Sequence, residues 1–569
     1  MPTSLTKDQR KLLSDITLKA REVAETAARA ALENLAVHEH EYRGHMTVDQ
    51  RQLRNRLRAR GRALGDRLDQ RSGTQATDHL AESAAYEHWH RLLFTRFLAE
   101  NHLLHTDEAL GAVPVTLDEC DELAAELGAR DGFELACRFA SETLPGVFRR
   151  DDPVLDLRLA RNHEVQLRQL LDRLPAELFR AHDTLGWTYQ FWQTKRKDQI
   201  NKSGVKIGAE ELPTVTQLFT EDYMVEFLLH NTLGAWWAGK RGPVRAVTEE
   251  QARSAVALRA KDGLPDIAWN YLRFVRDDEG SWSPAAGTFD GWPKHAAEIR
   301  FLDPCMGSGH FLVFALPILA RLRMEEEGLS AAKAVAAVLR DNLHGLEIDE
   351  RCTQIAAFNV ALTAWRLGGY QALPPLHLAC SGLAPNAKHA DWLSLAEDND
   401  KLRIGMEQLY RLFTRAPVLG SLINPSVTGD LIEAHFDELK PLLDRALMGE
   451  RPDVTTHELA VTAQGVAKAA EILAAKFALV ATNVPFKETK QLDGTLGKHI
   501  EAYFNEGRVN LATAFLMRIK AFLCDRGTAA VVTPHEWLFL KTYAGTRENL
   551  LSTCSWDCLV DLGCGLGMM

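Results

Sequence analysis

The 569-residue chain has no apolar run long enough to cross a bilayer, a feat that takes about 20 such residues in a helix. Its first residues, MPTSLTKDQRKLLSD, lack the apolar core of a secretory signal. There is no internal repeat and no low-complexity tract. Cysteine is sparse: nine residues, scattered and odd in number. That speaks against a disulfide framework and predicts free thiols in a reducing cytoplasm. Cys554, Cys558 and Cys564 cluster, but no fourth ligand follows at a zinc-site spacing, so no metal is expected. An excess of positive charge is missing too, since 66 Lys and Arg stand against 77 Asp and Glu for a net charge of −11. A protein that only coats nucleic acid is usually basic, so contact with DNA has to come from a local patch or from a part supplied elsewhere.

What is there is an ordinary globular composition, 46% hydrophobic and 25% charged. The length exceeds a single core and predicts about three domains. Residues 1–180 read as a helical domain. Apolar periodicity runs through Ile16–Val37, and Tyr86, Leu92, Leu93, Phe97 and Leu98 fall at helical spacing further on. Between these stretches, Arg51–Arg71 holds eight arginines. They form either a solvated helix face paired with local acids, the reading charge runs generally favour, or a set of phosphate contacts. Residues 181–295 are a mixed, mostly helical lead-in, where Thr220 is positioned to cap the helix that follows.

From residue 296 the texture turns α/β. Strands are predicted at Ile299–Asp303, Leu343–Asp349, Leu376–Ala379, Ala478–Thr482, Ala529–Thr533 and Cys558–Leu562. Helical stretches separate most of them, which argues for a mostly parallel sheet covered on both faces. Residues 385–470 read as a long helical insertion, and Pro317 inside the helix after the first strand predicts a kink.

Two segments carry chemistry. In IRFLDPCMGSGHFLVFAL a strand ends at Asp303, a Gly307-Ser308-Gly309 turn follows, and an apolar helix starts near His310. Glycines let the backbone approach a ligand, and strand C-termini are where open α/β sheets bind one. A dinucleotide fingerprint needs a third glycine where Leu312 stands, and the next strand-end acids, Glu347 and Asp349, come about forty residues on instead of twenty. The Lys-Ser/Thr of a phosphate-binding loop is absent as well. A nucleoside without phosphates, its ribose held by a carboxylate, fits best, and S-adenosylmethionine is such a molecule. The second segment, ALVATNVPF, is a buried strand that releases Asn483, Val484, Pro485 and Phe486. By itself it could be no more than a strand-ending turn.

Together, Asp303-Pro304-x-x-Gly307-Ser308-Gly309 and Asn483-Val484-Pro485-Phe486 resemble the motifs of amino-group DNA methyltransferases. The resemblance implies a Rossmann-like, S-adenosylmethionine-dependent methyltransferase domain over 296–569. It implies that Asn483 Oδ1 and the Val484 carbonyl hold the two hydrogens of a base amine, that Phe486 stacks on a base flipped out of double-stranded DNA, and that Pro485 stiffens the loop. Gln217, Phe219 and Thr220 match a segment that contacts the methionine end of the cofactor, with Glu221 in place of its usual proline. The order of segments is similar to that of adenine-specific (N6) enzymes. The chain as a whole looks like the large adenine methyltransferases of bacterial phage defence, of the BREX (PglX-like) and DISARM kinds, and leans to DISARM.

This chain departs from the pattern in three places. Val484 replaces a proline. The third strand ends at Ser381 where relatives place an acid that reads the adenine of the cofactor, so Ser381, the backbone or Asp391 has to substitute. No seventh strand or target-recognition part follows Cys558–Leu562, which predicts either a fragment or a recognition part supplied in trans, with other defence proteins as further partners. The alternative reading is a non-catalytic methyltransferase-like subunit that binds DNA or the cofactor inside a defence complex. A fused nuclease is disfavoured, because the Pro-Asp of LPDIAW is not followed by a convincing Glu-x-Lys.

Overall fold

The computed structural model describes residues 4–106, 112–148, 152–216, 220–255, 264, 266–385, 387–396, 399–425 and 454–563. The chain divides into two compact units. The first comprises 1–195 with 384–414 and 434–467, and the second 196–383, 415–433 and 468–569. The insertion is therefore shared, its first part clustering with the N-terminal helices and residues 415–433 with the α/β unit. No helix of the described residues is long and apolar enough to cross a membrane. All eight cysteines of the described residues are free thiols, and Cys564 lies outside them.

The first unit is built on the helices Lys7–Asn34, Val48–Leu64 and Asp78–Glu100. Thr6 and Thr47 start the first two with reciprocal capping boxes, each hydroxyl accepting from a backbone N–H while Gln9 or Gln50 returns the bond. Their apolar stripes bury Leu13, Ile16, Ala20, Ala24 and Leu57, and the third helix buries Tyr86, Trp89, Leu93, Phe97 and Leu98. Six of the run's eight arginines lie on Val48–Leu64, and most of their guanidinium groups are taken up by the fold. Arg54, 2% exposed, donates to the carbonyls of Ala36, Glu39, His40 and Glu41, closing the end of the first helix. Arg58 donates to Val37, Glu39 and Gly73 carbonyls, Arg60 pairs with buried Asp152 at 3.0 Å, and Arg56 pairs with Asp156 at 2.8 Å. Partners of this kind favour the reading of local pairing over that of phosphate contacts.

The second unit holds two sheets. A small antiparallel one, in the order β1-β3-β2, joins β1 (Val244–Arg245), β2 (Phe274–Arg276) and β3 (Ser281–Pro284). The larger one has β4 (Phe301–Asp303), β5 (Leu343–Glu347), β6 (His377–Cys380), β7 (Phe477–Asn483) and β8 (Leu523–Val532). All four of its ladders are parallel and its order is β6-β5-β4-β7-β8. Phe301, Leu302, Leu346, Leu479 and Val480 are fully buried, as expected of parallel strands covered on both faces. Chain order reverses between β4 and β7, and such a switch point opens a crevice beyond the strand C-termini.

Five of the six predicted strands are present. The sixth is not: Cys558–Leu562 forms no strand, and Leu559 and Val560 are 61% and 49% exposed. Apolar content alone does not make a strand, since its N–H and C=O groups need a neighbouring ladder, and β8 has none on its outer side among the described residues. Thr220 is not a helix cap either. The helix is Asp222–Leu229 with Glu221 at the N-cap and no side-chain bond there. The helix after β4, His310–Glu327, runs on through Pro317.

Candidate active site

Beyond the C-termini of β4, β5 and β7 lies a cleft of about 670 Å³ counting its open mouth. Pro304, Cys305 and Gly307 line it from the β4 turn, Glu347 and Ile348 from the end of β5, and Asn483, Val484 and Pro485 from the end of β7. The two motifs, about 180 residues apart in the chain, thus face one space because parallel strands align their C-termini on one edge.

The β4 turn is held from below. Met306 N–H donates to the Leu346 carbonyl at 3.0 Å and Gly307 N–H to Glu347 Oε2 at 2.8 Å. Gly307 and Gly309 have φ of +52° and +84°, the left-handed region where a side chain is strained. Gly309 also passes Ala356 so closely that an added Cβ would stand 3.0 Å from its methyl group. Ser308 offers its carbonyl to Asn359 Nδ2 at 2.9 Å, and His310, opening the helix, meets Asp222 at 2.9 Å.

Two carboxyls are buried here. Asp303, 1% exposed, accepts from Cys305 N–H at 3.1 Å. Glu347, 5% exposed, also accepts from Ile348 and Asp349 N–H at 2.9 and 3.1 Å. Burial pushes both up to about 7, against the pull of these N–H groups. Glu347 Oε1 already accepts two of these bonds, whereas Oε2 accepts one and keeps lone-pair capacity for a further donor. Asp349 caps the helix Glu350–Gly368, accepting from Arg351 N–H at 2.9 Å.

At the end of β7, Asn483 Nδ2 donates to Thr220 Oγ1 at 3.1 Å. That bond orients the amide. Among the described residues no donor reaches its buried Oδ1. A buried amide oxygen without a partner costs about 1–3 kcal/mol, so such a group calls for an explanation. Val484 is 1% exposed, and Phe486 is half-buried next to Pro485 and outside the lining of the cleft.

The structure therefore gathers Pro304, Gly307, Glu347, Asn483, Val484 and Pro485 at one cleft, with Asp303 and Thr220 bonded just behind its walls. Ser381 stays outside it. Its hydroxyl is fully buried, 3.2 Å from both the Glu347 carbonyl and Ser421 Oγ. Phe219 and Gln217 lie outside the described residues. Three stretches of lining were not found by motif: Leu212 and Thr216 before the β4 strand, Val418–Leu422 from the insertion, and Leu511 and Phe515 on the helix Leu511–Phe522. The Pro417, Gly420 and Pro425 punctuation in an otherwise helical segment is the signal that marks the second as a break, which the chain forms as a short helix, Ala416–Leu419, and a 3-10 turn, Gly420–Leu422.

Residues 341–565 match the family model of the Eco57I restriction-modification methylase. That span includes Glu347 and Asn483 and leaves the β4 turn outside it. The chain is similar to the adenine-specific methyltransferase PglX of Lacticaseibacillus casei (strain Zhang), at 24% identity over 96% of this chain and 47% of that protein. It is similar to the adenine-specific methyltransferase BrxX of Escherichia coli O9:H4 (strain HS), at 25% identity over 88% of this chain and 43% of that protein. It thus spans under half the length of these curated relatives. Among solved structures, the Type IIL restriction-modification enzyme MmeI in complex with DNA aligns over 97% of this chain and 53% of that one, at 12% identity and a TM-score of 0.39, too loose a likeness to bear on function. By sequence the chain is similar to adenine-specific methyltransferases, with a region at 341–565 that matches the Eco57I restriction-modification methylase family model.

Proposed function

We propose that this chain is the cofactor-binding and catalytic part of an S-adenosylmethionine-dependent DNA methyltransferase acting on the N6 amine of an adenine flipped out of double-stranded DNA. The observation that carries the reading is Asn483 Oδ1: a buried acceptor, fixed by Thr220 and left without a donor, in the same cleft as Glu347 and Gly307.

The residues present fit the cofactor. The turn carries close-approach glycines, and a strand-end carboxylate retains acceptor capacity. Glu347 would hold the ribose hydroxyls, with Asp349 beside it. Asp303, Pro304 and the Gly307–Gly309 backbone would cradle the rest, and Phe219 and Thr220 would reach the methionine end. When bound, the cofactor supplies an electrophilic methyl group on a sulfonium. The all-parallel order β6-β5-β4-β7-β8, with its switch point between β4 and β7, supports a Rossmann-like class I methyltransferase domain.

The chain's own contribution is positioning. An exocyclic amine is a poor nucleophile because its lone pair is delocalised into the ring. Accepting both amine hydrogens, at Asn483 Oδ1 and the Val484 carbonyl, favours a pyramidal nitrogen and aims its lone pair across the cleft. Pro485 restricts the backbone of the loop, and Phe486 stacks on the flipped base. The methylated amine, now cationic, is acidic enough to lose its proton to water. The enzyme works in the cytoplasm, where free thiols persist, and marks host DNA in a phage-defence system. The PglX and BrxX relatives favour the BREX kind over the DISARM kind to which the sequence leaned. Target recognition falls to a part equivalent to the half of those relatives that this chain does not span, or to partner proteins.

The test is a pair of measurements on Asn483→Ala. Calorimetric titration should give unchanged S-adenosylmethionine binding, and methyl transfer to adenine-containing duplex, assayed with the recognition part present, should fall about 10²–10³-fold. Undiminished transfer would remove Asn483 from the chemistry and the reading with it.

A further inference from the structure

The least expected cation in the second unit is Arg518, on the helix Leu511–Phe522. It is 1% exposed, yet no carboxylate among the described residues pairs with it. Its guanidinium donates to three carbonyls instead: Ser421 at 3.2 Å, Ile423 at 2.8 Å and Leu473 at 2.8 Å. The Phe522 ring lies 3.7 Å below it, and burial lowers its pKa to about 9. A buried cation satisfied by carbonyls alone is costly, so it persists where what it fixes matters.

What it fixes is the insertion segment around Ser421. Two of its three acceptors are in that turn, and the third, Leu473, closes the helix that leads into β7. Ser421 Oγ in turn donates to the Pro304 carbonyl at 2.6 Å and sits 3.2 Å from Ser381 Oγ. Gly420 faces Ile348, where an added Cβ would come within 3.1 Å of its Cδ1. The turn is thereby tied to the ends of β4, β5 and β6 at once.

The direction of the cofactor follows from the strand order, given the proposed function. Glu347 on β5 holds the ribose, and Asn483 on β7 marks the methyl-transfer end. The base has to extend the other way, past Ile348 toward β6. The end of β6 carries no acid, only Ser381, whose hydroxyl is already engaged. Val418–Leu422 stands there and lines the cleft.

We propose that Val418–Leu422 is the wall of the subsite for the adenine base of the cofactor, supplied by the insertion in place of an acid at the end of β6, and that Arg518 is the positioning residue that holds this wall.

The inference rests on the proposed cofactor site, and titration separates the two. Wild-type chain is titrated with S-adenosylmethionine, S-adenosylhomocysteine and adenosine, followed by Arg518→Met, Arg518→Lys and Ser421→Ala. Thermal melting checks that each folds. Arg518→Met should weaken all three ligands by the same factor, about tenfold or more, because the defect is at the base they share. Arg518→Lys should restore part of the loss, and Ser421→Ala, which leaves the buried cation in place, should weaken all three severalfold. Folded Arg518→Met that binds adenosine like wild type overturns the inference and leaves the cofactor site standing. If Arg518→Met does not fold, unchanged adenosine binding by Ser421→Ala overturns it in the same way. Absence of binding by the folded wild-type chain would remove the cofactor site itself and the inference with it.

Discussion

The arginine-rich helix Val48–Leu64 and the Asn483–Phe486 loop both stand out in the sequence, and they come to opposite ends in the structure. On the helix, groups that look available are spent: Arg54 and Arg58 on backbone carbonyls, Arg60 on Asp152. On the loop, a group that could be an ordinary turn residue is fixed on one side and left open on the other. Residue type alone leaves two readings open at each: paired or phosphate-binding arginines on the helix, a strand-ending turn or a base-binding loop after β7. The state of hydrogen-bond satisfaction separates them, because a satisfied donor has nothing left for a ligand, and a buried orphan acceptor is retained against its cost.

The sharpest way to break this contrast is to remove both features and compare. Asn483→Ala should leave the melting temperature near wild type while transfer drops about 10²–10³-fold. Arg60→Ala should do the converse. It strands the buried Asp152 carboxylate and should lower stability in a urea melt by about 3 kcal/mol, with the affinity for duplex DNA and its salt dependence unchanged. A shallower salt dependence for Arg60→Ala would return the helix to the phosphate-contact reading.

A smaller effect should appear in pH. Glu347 titrates near 7 in the folded chain, above an ordinary glutamate, and its ionised form is the better acceptor for ribose hydroxyls. Cofactor affinity should therefore rise about tenfold between pH 6 and pH 8, and Glu347→Gln should flatten the profile. The sign for stability is opposite: a carboxyl whose folded pKa is raised stabilises the unliganded fold at low pH and loses that contribution as pH climbs through 7. Buried His344, held down to about 3 by burial and by neighbouring Arg300, works the other way. Its contribution is complete above the usual histidine value and drains away as pH falls, by about 3 kcal/mol near pH 4.5, which a pH series of urea melts on His344→Gln would expose as a missing acid limb.

The smallest expected effect is at Thr220. Thr220→Val deletes the acceptor for Asn483 Nδ2 and should slow transfer severalfold, on the order of 1 kcal/mol, with Thr220→Ser restoring it. No change would mean that the amide is oriented by something other than this bond.

Much of the architecture was legible in the residues. The β4 strand and its glycine turn, the acids ending β5 and the Asn483 strand each carry a local pattern, and short apolar runs between helices predicted five of the parallel strands. The patterns failed where a neighbour decides the outcome. Cys558–Leu562 has the composition of a strand and no ladder to join. Thr220 has the chemistry of a cap, and its hydroxyl went to Asn483 instead. Val418–Leu422 carries no chemical motif at all and still lines the cleft.

The sequence by itself determined which chemical groups this protein brings to its cleft. They are a glycine turn after an aspartate, carboxylates at strand ends, and an amide followed by a proline and an aromatic ring. Those are covalent facts with local consequences, since backbone freedom and strand-ending geometry need only a few adjacent residues. Which of those groups remain open to a ligand, and which are consumed by carbonyls and buried partners far along the chain, was decided by the tertiary structure alone, because hydrogen-bond satisfaction and burial are set by residues that the sequence places tens to hundreds of positions apart.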